Sequence, residues 1–269
     1  MTRIYSYPEI YDIAFQDRPL SGEVDFLLTA AQKFLNRSVT SALELACGPG
    51  YHLRELAARN VISDGLDIEP AMVAYTQTLV KKQKLNSHII EADMRLFSTQ
   101  RRYDLCFCLL CSFAHLLSNE DIVSHFHAVA DCLVDGGIYI ISTAHPRDFY
   151  NEESAPESVQ ENKTWLRSRG DLIVETDWGG NDQQYDPLTE IDEITITFTV
   201  TNTANGAVDR IVSTDHLRRC SLQTFRALVE LSGQFEIVAV YGDFDVSVRL
   251  DNSDDSVRFI PVLRKITLP

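Results

Sequence analysis

Short apolar runs alternate with helical patterns along the first half of the chain. Over residues 8–35, Val24, Leu27, Leu28 and Ala31 recur at helical spacing and predict a helical segment with one apolar face. The strands and helices predicted after it alternate: 41–46, 53–59, 64–68, 71–82, 88–92, 104–110, 121–133 and 138–143. Such alternation predicts a parallel, doubly wound, Rossmann-like sheet of the α/β class.

The pattern changes in the C-terminal half. Residues 171–176 and 193–200 are rich in β-branched side chains, and turns that contain glycine and asparagine separate such runs. These runs predict an antiparallel β excursion from the main sheet. A helix over 222–232 and two closing strands, 235–241 and 257–266, complete the predicted elements.

Three regions are therefore predicted. Residues 1–40 form a helical cap over the ligand. Residues 41–147 and 220–269 form a Rossmann-like core, and residues 148–219 form an antiparallel insertion. The insertion leaves the sheet at the carboxyl end of a strand, which is the end where ligands of open α/β sheets bind. We therefore expect it to cover an acceptor or to contact a second subunit.

Two strand ends carry the candidate chemistry. Residues 42–50, Ala-Leu-Glu-Leu-Ala-Cys-Gly-Pro-Gly, read as a buried strand that breaks into a glycine turn before a helix, and the next buried strand ends at Asp67. Glycines let the backbone approach a ligand, and a carboxylate at the following strand end accepts hydrogen bonds from ribose hydroxyls. A dinucleotide site needs a third glycine where this chain has Leu53. The pattern favours a nucleoside without a pyrophosphate, which indicates S-adenosylmethionine.

The charge and the cysteines narrow the partners. The formal net charge of −15 argues against binding to a nucleic acid, which rests on lysine and arginine, and so disfavours RNA methylation. No apolar run reaches the roughly 18 residues that a membrane span needs. The six cysteines occupy apolar positions without disulfide or metal spacing, which favours a cytoplasmic protein without a metal site.

At these motifs the sequence resembles the class I S-adenosylmethionine-dependent methyltransferases. Residues 44–50 are similar to the first motif of that family, with Ala46 in place of its commonest first glycine. Residues 65–72 resemble the second motif of the family and residues 91–94 the third. Residues 103–110 resemble its fourth strand, and residues 133–137 resemble the turn before its fifth strand. A narrower similarity, to amino-sugar N-methyltransferases and other small-molecule methyltransferases, covers residues 11–12, 46–53, 93–95 and 108–116.

The resemblance implies a set of cofactor-binding residues. Gly48 and Gly50 would lie against the methionine part, Asp67 would bind the ribose, and Asp93 would face the adenine amino group. For Asp67, a helix-capping role shared with Glu69 is the alternative. The complete implied set is Tyr11, Arg18, Glu44, Ala46, Gly48, Gly50, Asp67, Ile68, Met72, Asp93, Met94 and Leu109.

The tyrosine-rich N-terminus is implied to fold over the cofactor. This brings Tyr11 near the methyl group and Arg18 near the cofactor carboxylate, whereas the alternative is an amphipathic surface helix whose aromatic rings pack on the domain. Ile68, Met72 and Leu109 are expected around the adenine and methionine parts, or in the core.

His115 is the main catalytic candidate, beside Tyr11 and His145. It follows the fourth predicted strand, and an imidazole can take the proton that an amine or a hydroxyl group must lose. A structural hydrogen bond to a backbone carbonyl is the alternative. His145 and Arg147 follow the fifth strand and are expected to face the same pocket, as a base or as a binding group for an acidic substrate.

The sequence thus predicts an enzyme that moves a methyl group to a nitrogen or oxygen atom of a small molecule by in-line displacement. Methylation of carbon, or a non-catalytic regulatory protein that binds the nucleoside, are the alternatives. Trp165, Trp178 and Tyr185 of the excursion are expected to form the acceptor wall or a subunit contact, so a homodimer is one predicted assembly.

Overall fold

The computed structural model describes residues 4–149, 163–179 and 184–267. A mostly parallel sheet forms its centre. In spatial order its strands are β12 (Phe235–Tyr241), β13 (Arg258–Lys265), β5 (Leu133–Ile141), β4 (Tyr103–Cys108), β1 (Ser41–Leu45), β2 (Ile62–Asp67) and β3 (Ile89–Glu91), and β6 (Thr143–Ala144) pairs with β13. Only β13 among these seven runs antiparallel to both neighbours, β12 and β5. The predicted doubly wound sheet is therefore confirmed.

Helices cover both faces of this sheet. They are α2 (Leu20–Leu35), α3 (Tyr51–Ala58), α4 (Pro70–Gln83), α5 (Asn119–Cys132) and α6 (Leu222–Ser232), whereas α1 (Pro8–Ala14) packs on a second, antiparallel sheet. The apolar sides of α2 and α3 pack on one face, and those of α5 and α6 pack on the other. Every residue of β4 is buried, as expected for a parallel strand covered on both sides. Among the described residues, no helix is both long and apolar enough to cross a bilayer.

The single helical segment predicted over residues 8–35 is wrong. The structure has two helices, α1 and α2, separated by residues 15–19. The break has a local cause, because the ring of Pro19 disfavours a helical conformation at the preceding residue, Arg18. Residues 4–19 therefore precede α2 as a separate segment, which we call the leader.

An antiparallel sheet stands where the sequence predicts the excursion. It contains β7 (Thr164–Arg169), β8 (Leu172–Trp178), β9 (Gln184–Asp186), β10 (Ile191–Asn202) and β11 (Val208–Arg218), in the order β11-β10-β8-β7 with β9 beside β10. Its inner apolar face, which includes Val174 and Phe198, packs on Ile4 and Ile13 of the leader. Residues 150–162 and 180–183 of the predicted insertion lie outside the described residues. The leader is thus held by this sheet.

Candidate active site

A cavity of about 370 Å³ opens at the carboxyl ends of β1, β2 and β4. The strand order reverses between β1 and β4, which is the position where open α/β sheets bind ligands. Tyr5 and Tyr11 of the leader line the cavity from one side, and Thr214, Asp215 and Leu217 of β11 line it from another. The cavity therefore joins the sheet end, the leader and the antiparallel sheet.

The turn after β1 forms one wall of the cavity. Ala46 and Gly48 both line it, and both have a left-handed backbone with φ of 52°. This conformation costs a residue with a side chain about 1–2 kcal/mol, which explains why a glycine is common at the position of Ala46 in the resembling family. Gly50 does not line the cavity. A Cβ there would lie 2.9 Å from Cγ2 of Thr76, so its packing against α4 requires glycine.

Asp67 lies at the end of β2 and holds two backbone segments. Its Oδ2 accepts a hydrogen bond from the amide of Gly48 at 2.9 Å, and its Oδ1 accepts one from the amide of Glu69 at 3.0 Å. Burial raises the pKa of its carboxyl group, although these amides lower it. Each carboxylate oxygen retains a lone pair for a ligand hydroxyl. No described side chain caps α4, whose N-cap residue is Glu69, so the contact from Asp67 to the Glu69 amide fixes the turn before the helix while Asp67 lies in the cavity wall.

The loop after β3 forms another part of the cavity wall. Its Asp93 is paired with Arg95, whose hydrogen bonds lower the Asp93 pKa, so the carboxylate remains charged. Met94 lies next to it in the wall, and its carbonyl accepts a hydrogen bond from Nδ1 of His125 at 2.8 Å. His125 is completely buried, and its Nε2 accepts from the hydroxyl of Tyr139 at 2.6 Å. Burial lowers the pKa of His125 to about 4, so a neutral imidazole supports this loop.

A buried charge network lies beneath the turn after β1. The guanidinium of Arg18 donates to Glu23 at 2.6 Å, Nε2 of His52 donates to the same carboxylate at 2.8 Å, and Nδ1 of His52 donates to Glu44 at 2.5 Å. Burial lowers the pKa of His52, but the charge of Glu44 and the two hydrogen bonds raise it to about 9. Both ring nitrogens face carboxylates, so His52 is an imidazolium ion. The network braces β1, α2 and α3 around the turn.

The predicted cofactor residues thus divide into two groups. Eight line the cavity: Tyr11, Ala46, Gly48, Asp67, Ile68, Met72, Asp93 and Met94. Four do not: Arg18, Glu44, Gly50 and Leu109. Arg18 and Glu44 belong to the buried network, and Leu109 packs in the core between the sheet and α2. The cofactor-binding roles themselves remain predictions.

His115 is the last residue of a short 3-10 turn, Ser112–His115, that follows β4. Its side chain lies in the cavity wall. Two non-glycine residues with left-handed backbone, Leu110 (φ 53°) and Cys111 (φ 59°), turn the chain into the cavity wall. The amide of Cys111 donates to the carbonyl of Ser142 at 3.1 Å, which ties this turn to the end of β5. The position of the histidine is thus fixed by the sheet.

Tyr5 of the leader contacts His115, and Tyr11 packs against Tyr5. The hydroxyl of Tyr5 lies 3.2 Å from Nε2 of His115, and its ring centroid lies 5.6 Å from that of Tyr11. Burial, followed by the nearby Tyr11 and Asp215, raises the pKa of Tyr5. Burial also raises the pKa of Tyr11. Both side chains are therefore neutral phenols at neutral pH, which favours a positioning role over proton transfer for Tyr11.

The expectation that His145 and Arg147 face the pocket is wrong. Nε2 of His145 donates to the carbonyl of Asp251 at 2.8 Å, and its Nδ1 accepts from the amide of Arg147 at 3.1 Å. The guanidinium of Arg147 donates to the carbonyls of Ser253 and Ser256. Both side chains hold the loop before β13, so neither ring nitrogen of His145 is available as a base.

Sequence reasoning missed Asp215 and the contact between Tyr5 and His115. Asp215 shares the inner face of β11 with Ile211 and Ser213, and a carboxylate at an inward position of an alternating strand was the available signal. Of the three aromatic residues expected in the acceptor wall, Trp178 lines the cavity. The indole of Trp165 instead donates to the carbonyl of Ala14, which anchors the leader.

Residues 42–137 match a family model described as a methyltransferase domain. A curated relative, the dTDP-3-amino-3,6-dideoxy-alpha-D-glucopyranose N,N-dimethyltransferase of Streptomyces fradiae, is 25% identical over 134 residues. That alignment covers 49% of this chain and 51% of the relative, so the chain matches about half the length of that protein.

Solved structures match over nearly the whole chain. An S-adenosylmethionine-dependent methyltransferase from Clostridium acetobutylicum has a TM-score of 0.77 at 16% identity, covering 97% of this chain and 98% of its own. DesVI of Streptomyces venezuelae has a TM-score of 0.75 at 15% identity, with the same two coverages. CalS10, an amino pentose methyltransferase from Micromonospora echinaspora, has a TM-score of 0.69 at 17% identity, covering 95% of this chain and 96% of its own. At these identities the similarity establishes the fold.

Proposed function

We propose that this protein, which carries a methyltransferase domain over residues 42–137 within the fold of the S-adenosylmethionine-dependent methyltransferases, methylates a nitrogen atom of a small-molecule acceptor. The observation that carries the proposal is that one cavity is lined both by the carboxylates Asp67 and Asp93 and by His115, Tyr5 and Asp215. We assign the part beside Asp67 and Asp93 to the cofactor and call it the cofactor end, and we call the part beside His115, Tyr5 and Asp215 the acceptor end. Such a cavity suits a nucleoside cofactor and an acceptor that meet between them.

The residues of the first end fit S-adenosylmethionine. The carboxylate of Asp67 can accept hydrogen bonds from the ribose hydroxyls, while Ala46 and Gly48 allow the backbone to approach the methionine part. Ile68 and Met72 supply apolar surface, and Asp93 and Met94 supply polar groups for adenine. When bound, the cofactor supplies an electrophilic methyl carbon on a positively charged sulfur atom.

The protein then has to align and deprotonate the acceptor. His115 lies at the acceptor end of the cavity, where its imidazole can take a proton from the acceptor nitrogen. Tyr5 orients that imidazole through its hydroxyl group, 3.2 Å from Nε2. The leader and β11 line the acceptor end of the cavity, which limits the access of water to the reacting atoms.

Nitrogen is the atom that the relatives favour. The Streptomyces fradiae relative is named as an N,N-dimethyltransferase, and KedS8, with a TM-score of 0.72 at 19% identity, is named as a sugar N-methyltransferase. A neutral amine also attacks a methyl carbon with less basic assistance than an alcohol or a carbon acid requires. Oxygen and carbon methylation are the alternatives.

The test is transfer of a labelled methyl group. The protein is incubated with methyl-labelled S-adenosylmethionine and a mixture of amines, alcohols and carbon acids, and the products are identified by mass spectrometry. We expect label on nitrogen and formation of S-adenosylhomocysteine. Cofactor binding without transfer to any acceptor would support the non-catalytic, regulatory alternative instead.

We also propose a cytoplasmic protein that acts on free small molecules rather than on nucleic acid or at a membrane. The formal charge of −15 and the six free thiols support this assignment. A homodimer formed through the antiparallel sheet is a further proposal, which light scattering of the purified protein would test.

A further inference from the structure

The acceptor end of the cavity contains a buried carboxylate with an unused oxygen atom. Asp215 is 6% exposed and lines the cavity. Its Oδ1 accepts a hydrogen bond from Oγ of Ser213 at 3.1 Å, and its buried Oδ2 has no described partner within 3.5 Å, although the nearby hydroxyl of Tyr5 interacts with the same carboxylate, which raises the pKa of Tyr5. A buried oxygen atom without a hydrogen-bond partner destabilises the folded protein. A ligand that donates a hydrogen bond to such an oxygen in a cavity wall would remove this cost.

Aromatic rings surround the same end. Tyr5, Tyr11 and Trp178 line the cavity near Asp215, and the two tyrosine rings lie 5.6 Å apart. The negative face of an aromatic ring attracts a cation, and a tyrosine or tryptophan ring does so best. A carboxylate among aromatic rings therefore favours a positively charged group.

Among the described residues that line the cavity, an anion would find no unpaired arginine or lysine; the other basic side chains are His115 and His216, and His216 is paired with Glu193. The one arginine among these described lining residues is Arg95, which lies at the cofactor end and is paired with Asp93 and Asp121, and lysine is absent. The neighbouring arginines are paired as well: Arg169 with Asp12, Arg218 with Glu190, and Arg219 with Asp192.

The sequence outside the described residues adds little positive charge. Residues 150–162 and 180–183 contain neither lysine nor arginine, and residues 1–3 contain only Arg3. Recognition of a phosphate or diphosphate relies on arginine or lysine side chains, which form charge-assisted hydrogen bonds to its oxygens. A phosphorylated acceptor would meet the Asp215 carboxylate instead.

We propose that the acceptor is a small amine that binds as an ammonium ion to Asp215 and carries no phosphate group. The inference rests on the proposed function and refines its substrate class, and it separates this chain from the relative whose name specifies a dTDP-linked sugar. The ammonium ion loses one proton to His115. The nitrogen lone pair then forms the bond to the methyl carbon, the C–S bonding pair passes to sulfur, and the products are S-adenosylhomocysteine and an N-methylammonium ion.

Matched pairs of amines test this proposal. Protein saturated with S-adenosylhomocysteine is titrated calorimetrically with ethanolamine and phosphoethanolamine, glucosamine and glucosamine 6-phosphate, and 3-amino-3,6-dideoxyglucose and its dTDP ester. Glucose serves as the neutral control. We expect the phosphate-free member to bind at least about tenfold more tightly in each pair that binds.

Substitution of the carboxylate completes the test. Asp215→Asn is expected to lose at least about tenfold in amine affinity and to keep its affinity for S-adenosylmethionine. Its melting temperature should not fall, because the substitution removes an unsatisfied buried charge, whereas a purely structural carboxylate would lower it. Asp209→Asn, on the exposed part of the same strand, is the matched control and should match the wild type. Asp215→Glu, which keeps the charge, should retain more amine affinity than the asparagine variant.

Three results would overturn the proposal: tighter binding of the phosphorylated member of a pair, wild-type amine affinity in Asp215→Asn, or no binding by any amine while S-adenosylhomocysteine binds. Preferred methylation of the dTDP ester would refute the substrate class and keep the methyltransferase assignment. Failure to bind either sulfur nucleoside would instead refute the proposed function.

Discussion

The two ends of the cavity are built in different ways. At the cofactor end, backbone amides occupy both oxygens of Asp67 and Arg95 neutralises Asp93, and these contacts join residues at most 19 positions apart in the sequence. At the acceptor end, Tyr5 and His115 meet across 110 residues, and the Oδ2 atom of Asp215 has no described partner within 3.5 Å. The first end is preorganised locally, and the second is assembled by tertiary contacts. Substitutions should therefore separate them.

The largest expected effect is on the charge network beneath the cofactor end. In His52→Ala the carboxylates of Glu23 and Glu44 lose their shared imidazolium in a buried site. Removing one partner of a buried ion pair lowers the free energy of unfolding by about 3–5 kcal/mol, which urea denaturation would measure. His127→Ala, at an exposed position of α5, is the control and should change stability by less than about 0.5 kcal/mol. Equal losses in the two variants would contradict the network.

The same imidazolium gives a pH dependence. The folded-state pKa of His52 is about 9, above its ordinary value of 6.5, so its stabilisation is complete below pH 6.5 and is lost as pH rises toward 9. The folded-state pKa of His125 is about 4, so its contribution is present above pH 6.5 and is lost as pH falls toward 4. Unfolding free energies measured from pH 4 to 9 should show both declines. An alkaline decline that persists unchanged in His52→Ala would assign it to another group.

The next largest effect is expected from a substitution that impairs catalysis at the acceptor end and leaves cofactor binding unchanged. His115→Ala removes the group that we expect to accept the proton, so kcat should fall by about a hundredfold while the affinity for S-adenosylmethionine stays the same. Steady-state kinetics with an excess of cofactor, together with a direct titration, would measure both quantities. Normal turnover would reduce His115 to a structural residue.

Asp67→Ala is expected to break the cofactor end alone. Loss of its hydrogen bonds to the ribose should weaken S-adenosylmethionine binding by about ten- to thirtyfold, with the fold retained. Asp67→Asn keeps one acceptor oxygen and the shape of the side chain, so it should lie between Ala and the wild type. Unchanged affinity in Asp67→Ala would contradict the ribose assignment, and circular dichroism would verify the fold of both variants.

The smallest effect sharpens the description of the acceptor end. Tyr5→Phe keeps the ring beside Tyr11 but removes the hydroxyl group that contacts His115. The loss of one hydrogen bond corresponds to about a three- to tenfold decrease in kcat/KM. We expect the pH–rate profile to shift as well, because the hydroxyl contacts the proposed base. A profile identical to that of the wild type would show that this contact does not orient His115.

The cofactor end was largely predictable, because its signals are local. A glycine turn and a strand-end carboxylate lie close together in the sequence, so the sequence predicts that Gly48 and Asp67 line the ligand site. Both residues line the cavity. The fold and the family resemblance were predicted from the same motifs and are confirmed. Ala46 retains the left-handed backbone of the motif without its glycine.

The acceptor end was less predictable, because its contacts join distant segments. The charge network beneath the cofactor end is also hard to predict, because His52 links Glu23 of α2 to Glu44 of β1 only in the tertiary structure, whereas the resemblance implies a cofactor contact for Arg18. His145 follows β5 as expected, but its ring donates a hydrogen bond to the carbonyl of Asp251, in a loop 106 residues later in the chain. Asp215 lies in the cavity wall only because β11 reaches the end of the central sheet in the tertiary structure.

Calorimetric titration of S-adenosylmethionine into the wild type, Asp67→Ala and Asp215→Asn is the most direct test of a two-ended cavity. We expect the wild type and Asp215→Asn to bind one equivalent with about micromolar affinity, and Asp67→Ala to bind at least about tenfold more weakly. No binding by the wild type, or an equal loss of affinity in the two variants, would contradict the account.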